Sequence, residues 1–272
     1  LKIMKNIGSG GSGAIIFMAQ WKHQMVALKL FAASDLAHEE SVGDFQHELQ
    51  LLLSLHHKNI VACYGAVLKP PRIGIVMEYC DQGTLTDYIA KNKGKISWQR
   101  KLDLLIQIAQ GMSFLHSKNV IHRDLKPENI LMDSNGTPKI TDFGLSRTKQ
   151  DSKMTHHIGT FTYISPEVAS GEFYDEKCDV FSFAIIMFEL FVETNQPYAA
   201  NGVKNSQTIQ LEITRNPLFR PNIPLGFKVE ANQHWFVELM STCWKHSPKD
   251  RKSFDEIVAI MSEHIQPNAS TL

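Results

Sequence analysis

The sequence predicts an α+β chain in which a strand-rich front of about 80 residues gives way to a helix-rich back. Three observations carry this. Residues 1–31 alternate glycine-rich and β-branched stretches, and Ala14–Phe17 and Met25–Leu30 read as strands. Ile60–Leu68 and Ile73–Glu78 return to strand character across the breaker pair Pro70-Pro71. Beyond Asp81-Gln82-Gly83 the periodicity changes, and Leu102, Leu105, Ile106, Ile108, Ala109, Met112 and Leu115 mark a long helix.

The remaining elements fall in order around these. Leu1–Met4 reads as a strand, so the sequence looks like a domain cut from something longer. Phe45, Leu49, Leu52 and Leu53 lie at helical spacing and predict one helix over 44–55 within the strand-rich part. Short apolar runs at 119–122, 129–132 and 138–141 predict small strands and turns, and the chain reads mainly helical from Pro166. The most apolar run, Val180 to Phe188, is roughly half the ~20 residues of a membrane span, so it predicts a buried helix.

Composition narrows the function classes. The 272 residues are 43% hydrophobic, enough for one large domain or two packed lobes. Lys plus Arg and Asp plus Glu both total 28, so nothing in the charge balance points to nucleic acid or an acidic membrane. Cys63, Cys80, Cys178 and Cys243 form no C-x-x-C pair and no disulfide framework, which suits reduced thiols in an intracellular protein. The twelve histidines include no H-E-x-x-H and no zinc-type cluster.

Chemistry concentrates in four places. Gly8, Gly10 and Gly13 fit G-x-G-x-x-G, a backbone that phosphate oxygens can approach closely. Alone this is equally a flexible turn. A strand follows it rather than a helix, and no Gly-Lys-Ser/Thr ends it, so it is neither a dinucleotide fingerprint nor a P-loop. Val26-Ala27-Leu28-Lys29 ends a strand on a lysine sixteen residues past Gly13, where a hairpin returns it beneath the glycine turn. Lys29 can neutralise phosphates if an acid holds it, and Glu48 fits, although a lone helix glutamate is more commonly just exposed. His122-Arg123-Asp124-Leu125-Lys126-Pro127-Glu128-Asn129 is the third, and Asp142-Phe143-Gly144 follows thirteen residues after Asn129.

In this order and spacing the four resemble the eukaryotic protein kinase family over nearly the whole chain, from about Leu1 to about Ile265. The resemblance implies a bilobal fold. A small antiparallel β-sheet lobe with one key helix would span 1–80, a larger mainly helical lobe 81–272, and a hinge about 78–83. It implies transfer of the γ-phosphoryl group of ATP, assisted by Mg²⁺ with Mn²⁺ as the alternative, to a protein substrate. Asp124 would orient the acceptor hydroxyl and take its proton, Lys126 contact the γ-phosphate, and Asn129 and Asp142 ligate the metal. Ile7, Gly8, Gly10, Gly13, Ile15, Ala27, Lys29, Met77, Glu78, Cys80, Thr84 and Leu131 would surround the nucleotide. Within that set, Ile15, Ala27 and Leu131 would sandwich adenine, the backbone of Glu78 and Cys80 would bond it, and Thr84 would lie near the ribose.

Lys126 and Thr160 resemble the serine/threonine type, with tyrosine or dual specificity and a catalytically dead scaffold as the competing readings. Tyr64-Gly65, Ile75–Tyr79 and Cys243-Trp244 resemble the tyrosine-kinase-like group, mixed-lineage and Raf-type relatives in particular. Asp179 resembles the aspartate that anchors the catalytic loop, and Arg251 the arginine that pairs with Glu167. Ser165, Ala184, Lys252 and Ser12 depart from the usual pattern without removing a phosphate, metal or proton-transfer group. Ser152 and Thr155 are the expected sites of an activating phosphate, placed by an upstream kinase or by self-phosphorylation. The expected setting is intracellular and cytoplasmic, without a membrane span or nucleic-acid partner; the sequence does not address the oligomeric state.

Overall fold

The computed structural model describes residues 1–9, 14–31, 46, 49–69, 72–142, 147–148 and 161–265. Gly10, Gly13, Glu48, Ser152, Thr155 and Thr160 therefore lie outside the described residues. The chain forms two compact units, Leu1–Gly83 with Leu131–Gly144, and Thr84–Ile130 with Leu145–Leu272.

The first unit is built on one antiparallel sheet. Strands β1 (Lys2–Ser9), β2 (Ile15–Trp21), β3 (Gln24–Phe31), β4 (Cys63–Lys69) and β5 (Arg72–Glu78) stand in the order β1-β2-β3-β5-β4. Alternation sorts β3 into two faces. Val26 and Leu28 bury against Ala19 and Val76, with Phe17, Trp21, Leu30 and Tyr64 packed around them. Ala27, Lys29 and Phe31 take the opposite face. Trp21 stacks on Tyr64 at 6.1 Å between centroids and closes the apolar face at the β2–β3 hairpin.

Gly74 lets β5 approach β3. It pairs with Leu30, and a Cβ there would come within 2.4 Å of the Lys29 carbonyl oxygen. The obstacle is backbone, so a larger residue forces the Lys29-bearing strand to move.

Leu131–Gly144 fall in the helix-rich part of the sequence yet belong to the sheet unit. Strands β7 (Ile130–Met132) and β8 (Pro138–Ile140) pair with each other. Their segment is stitched to the first unit by backbone bonds: Ile140 N–H to Asn59 O, Val61 N–H to Ile140 O, and Met132 N–H to Gly83 O. Lys139 adds an ion pair with Glu78 at 2.7 Å.

The second unit is mainly helical: α1 (Leu85–Lys91), α2 (Trp98–Ser117), α3 (Pro166–Ala169), α4 (Lys177–Val192), α5 (Ser206–Arg215), α6 (His234–Cys243) and α7 (Phe254–His264). Short strands β6 (Val120–Ile121) and β9 (Arg147–Thr148) pair antiparallel. Ser97 caps α2 and Ser253 caps α7, each through its side-chain oxygen.

Helix α4 is buried at every position from Cys178 to Phe191. This accounts for the apolar run from Val180 to Phe188, and no described helix is long and apolar enough to cross a membrane. Near its start, Arg251 meets Glu167 in a buried bidentate pair at 2.7 and 2.8 Å, with its guanidinium over the Phe181 ring.

Gly74→Ala should destabilise the protein by about 1–3 kcal/mol through overpacking. A thermal melt unchanged from the parent would show that β3 and β5 do not constrain each other as described.

Candidate active site

The chemistry-bearing residues fall into two sets, one in each unit. In the sheet unit, Lys29 is 5% exposed, and its ammonium lies 3.7 Å from Asp142 Oδ1 and over the Phe31 ring. A buried ammonium demands anionic company, and Asp142 supplies part of it. The bonds between 138–140 and 59–61 fix where Asp142 emerges. Asp142 itself has φ 63°, a left-handed conformation uncommon outside glycine that asparagine and aspartate tolerate best.

Met77 is buried and pairs with Ala27 on one side and Cys63 on the other. The Glu78 N–H donates to Ala62 O at 2.8 Å, while its carboxylate accepts from Ala62 N–H and pairs with Lys139. Cys80 is buried, and burial followed by the Glu78 charge pushes its thiol up to about 12. The thiol is therefore protonated and inert at neutral pH. Ile7 and Gly8 lie on β1 and Leu131 on β7. The β2–β3 register sets Ile16 across from Lys29 and Met18 across from Ala27, whereas Ile15 pairs with Leu30. Of the two adjacent isoleucines, Ile16 is thus the one across from Lys29.

In the helical unit, the 122–129 loop hangs from one buried carboxylate. Asp179, on α4, accepts the N–H of His122 at 2.9 Å, the N–H of Arg123 at 2.8 Å, and the His116 ring at 2.9 Å. Burial alone would raise its pKa. The His116 hydrogen bond and charge, helped by His122 and the Arg123 N–H, outweigh burial and hold the carboxyl below its usual range. Arg123 is left-handed, with φ 72°, and its guanidinium lies over the Tyr174 ring. The bonds to Asp179 help fix this costly turn.

The turn presents Asp124. Its Oδ2 accepts Lys126 Nζ at 2.7 Å and Asn129 Nδ2 at 3.0 Å, and the same Asn129 nitrogen bonds the Asp124 backbone oxygen at 2.8 Å. A carboxylate, an ammonium and an amide are thus brought together over six residues, tightened by the Pro127–Asn129 turn. Thr84 caps α1. Its hydroxyl donates to Asp87 and its oxygen accepts the Asp87 N–H, so that hydroxyl is already engaged.

Two further side chains on α4 support the neighbouring segment. Ser182 Oγ donates to Tyr163 O at 2.8 Å, and Tyr163 Oη donates to Glu189 at 3.0 Å. Sequence reading passed over Ser182, Glu189, Tyr163, His116 and Gly74. The available signal was Ser182 and Glu189, polar residues set beside Asp179 in an otherwise apolar helix.

The residues present fit a divalent cation. Asn129 commits its amide nitrogen to Asp124, which turns its carbonyl oxygen the other way. Asp142 is separated from Lys29 by more than a tight ion-pair distance. No cluster of three or more His, Cys, Asp or Glu able to cage a metal occurs among the described residues. A divalent cation bound by one or two side-chain oxygens takes its remaining ligands from phosphates and water.

A family model described as "Protein tyrosine and serine/threonine kinase" matches residues 1–261. The chain belongs to this protein kinase family. A protein of Acanthamoeba polyphaga mimivirus, named as a serine/threonine-protein kinase/receptor, is 35% identical over 265 residues, covering 97% of this chain and 15% of the relative. The RGS domain-containing serine/threonine-protein kinase A of Dictyostelium discoideum is 33% identical over 270 residues, covering 99% of this chain and 23% of the relative. A serine/threonine-protein kinase of Arabidopsis thaliana is 32% identical over 274 residues, covering 98% of this chain and 45% of the relative. The chain thus spans less than half the length of these curated relatives. Protein kinases use ATP and a divalent cation and act on proteins.

Burial pushes the Glu189 carboxyl well above its usual range, against the pull of the Tyr163 hydroxyl. A raised folded-state pKa gives stability that is complete below the unfolded value of 4.5 and is lost as pH rises towards the folded one. Glu189→Gln, which does not ionise, should therefore gain stability relative to the parent as pH rises. Urea midpoints at pH 5 and pH 8 check this, and a parent–variant difference that does not change with pH would contradict it.

Proposed function

We propose that this kinase domain transfers the γ-phosphoryl group of ATP to serine and threonine hydroxyls of protein substrates. The observation that carries the reading is the Asp124–Lys126–Asn129 constellation, with Lys126 Nζ 2.7 Å from Asp124 Oδ2. Lysine at this place and the serine/threonine-kinase names of the relatives both favour hydroxyls on serine and threonine over tyrosine.

Phosphoryl transfer asks for positioning and charge stabilisation. In this reading Asp124 orients the acceptor hydroxyl and accepts its proton. Lys126 neutralises negative charge on the transferred group, and its ion pair fixes the carboxylate. Lys29, beside Asp142, neutralises the inner phosphates, and Glu48, outside the described residues, would be the second acid that holds it. Asn129 and Asp142 would be the ligands of Mg²⁺, which would supply Lewis-acid stabilisation of phosphate charge. Since the Glu78 N–H is spent on Ala62, its carbonyl is the group left for adenine, beside the Cys80 backbone. Ala27, Met77 and Leu131 wall the base. Thr160, outside the described residues, would bond Asp124 and Lys126.

Incubation with γ-labelled ATP and a generic protein, followed by identification of the labelled amino acids, tests this. Label should appear on serine and threonine, and Asp124→Asn should lower turnover by roughly 10²–10⁴-fold, as expected when a positioned proton acceptor is lost. Label on tyrosine would overturn the specificity, and undiminished turnover in the variant would overturn the role of Asp124.

Regulation is proposed to act through Arg123, which precedes Asp124 in the chain and whose guanidinium lies over the Tyr174 ring. A phosphate on Ser152 or Thr155 would engage it through charge-assisted hydrogen bonds. The double variant Ser152→Ala/Thr155→Ala should then have lower activity, and parental activity would remove both sites from the proposal.

A further inference from the structure

A groove in the helical unit lies outside the constellation just described. It has a volume of about 360 Å³, and its floor and walls include Phe188, Val192, Pro197, Pro224 and Phe227, with Lys93 at the rim. A second hollow of about 160 Å³ shares Lys93, Glu193 and Thr194 with it and extends to Pro127, the residue after Lys126. The two form one run from an apolar pocket to the edge of the catalytic loop. Cavities of this size, mostly apolar with a few polar groups, hold ligand side chains.

The charge of the run is settled by what is already neutralised. Glu193 accepts Lys101 Nζ at 2.8 Å and the Gly94 N–H, so its charge is answered internally. Glu189 is 1% exposed and receives the Tyr163 hydroxyl, and burial favours its uncharged form. Asp87, next to Thr86 in the second hollow, is occupied by the Thr84 cap. Lys93 lies at the mouth of both hollows, and Lys91, Lys93 and Lys95 are all exposed. The walls are apolar and the rim is basic.

We propose that this run docks a segment of the protein substrate in which a bulky apolar residue sits beside aspartate or glutamate. The proposal rests on the protein kinase reading and names the substrate chemistry that reading leaves open. The apolar residue fills the pocket of Phe188, Val192 and Phe227, and the acidic residues meet Lys93. The hollow then leads the segment past Pro127 towards Asp124. A basic segment would meet Lys93 with like charge and find both glutamates engaged.

The test reads binding without turnover. Two fluorescein-labelled peptides of equal length, one containing Phe-Asp-Glu and the other Phe-Arg-Arg, are titrated with the whole chain in the absence of ATP and followed by fluorescence anisotropy. The acidic peptide should bind at least about tenfold more tightly at low salt, with the advantage shrinking as salt is raised. Ala200→Trp, placed at an exposed residue of the groove, should remove the affinity for both peptides. Lys93→Glu should erase or invert the preference. Equal affinity of the two peptides for the parent, or a preference that survives both variants, overturns the docking assignment. Phosphate transfer to the generic protein, measured beside these titrations, judges the kinase reading separately, because the anisotropy does not depend on it.

Discussion

One carboxylate holds the 122–129 loop in place. Asp179 sits in a helix with no exposed face and still keeps its charge, because three N–H donors converge on it. Two of those donors are consecutive backbone amides, His122 and Arg123. A charged acceptor is the partner that makes such bonds strong in a low-dielectric interior. It fixes the path of the chain immediately before Asp124, in a left-handed turn that arginine would not choose. The relative order of Asp124, Lys126 and Asn129 follows from that turn. Removing the charge would leave the amides buried without their acceptor, so the loop depends on α4 as much as on its own sequence.

Helix α4 acts as a scaffold on three levels. Asp179 holds the catalytic loop, Ser182 holds the backbone of Tyr163, and Glu189 holds the Tyr163 hydroxyl. These polar side chains enter from a helix otherwise filled with phenylalanine, isoleucine and valine, whose packing leaves them little freedom. The Arg251–Glu167 pair ties the 166–169 helix to the turn before α7, again beside the Phe181 ring of α4. An apolar run that reads as mere core thus carries the positions of polar groups on two separate segments.

The sequence displayed the chemistry more plainly than the geometry. Four short motifs at fixed spacing raise the expectation that Lys29, Asp124, Lys126, Asn129 and Asp142 serve one reaction, since phosphate chemistry needs those residue types. Strand alternation located β2, β3 and β5 to within a few residues, and the switch to helical period located α2. Other features are set by contacts between distant residues. The return of 131–144 to the sheet depends on Asn59 and Gly83 bonding to residues more than forty positions away. Whether Ile15 or Ile16 lies across from Lys29 depends on where the hairpin turns, and a shift of one residue reverses the face. The left-handed backbone at Arg123 leaves no trace in residue type, and Gly74 looks like any strand glycine until the neighbouring strand is in place.

The discontinuity of the sheet unit bears on how the protein is made. When residues 1–83 have emerged from a ribosome, all five strands exist, but the segment that bonds Asn59, Val61 and Glu78 has not yet followed. The unit cannot be completed until Pro138, Lys139 and Ile140 have emerged, by which time all of α1 and α2 has been threaded out first. The nascent front of this chain therefore waits, partly unsatisfied, through the synthesis of the catalytic loop. The unit that carries Lys29 is completed first, while the loop that carries Asp124, although synthesised earlier than that last segment, waits further for Asp179 of α4.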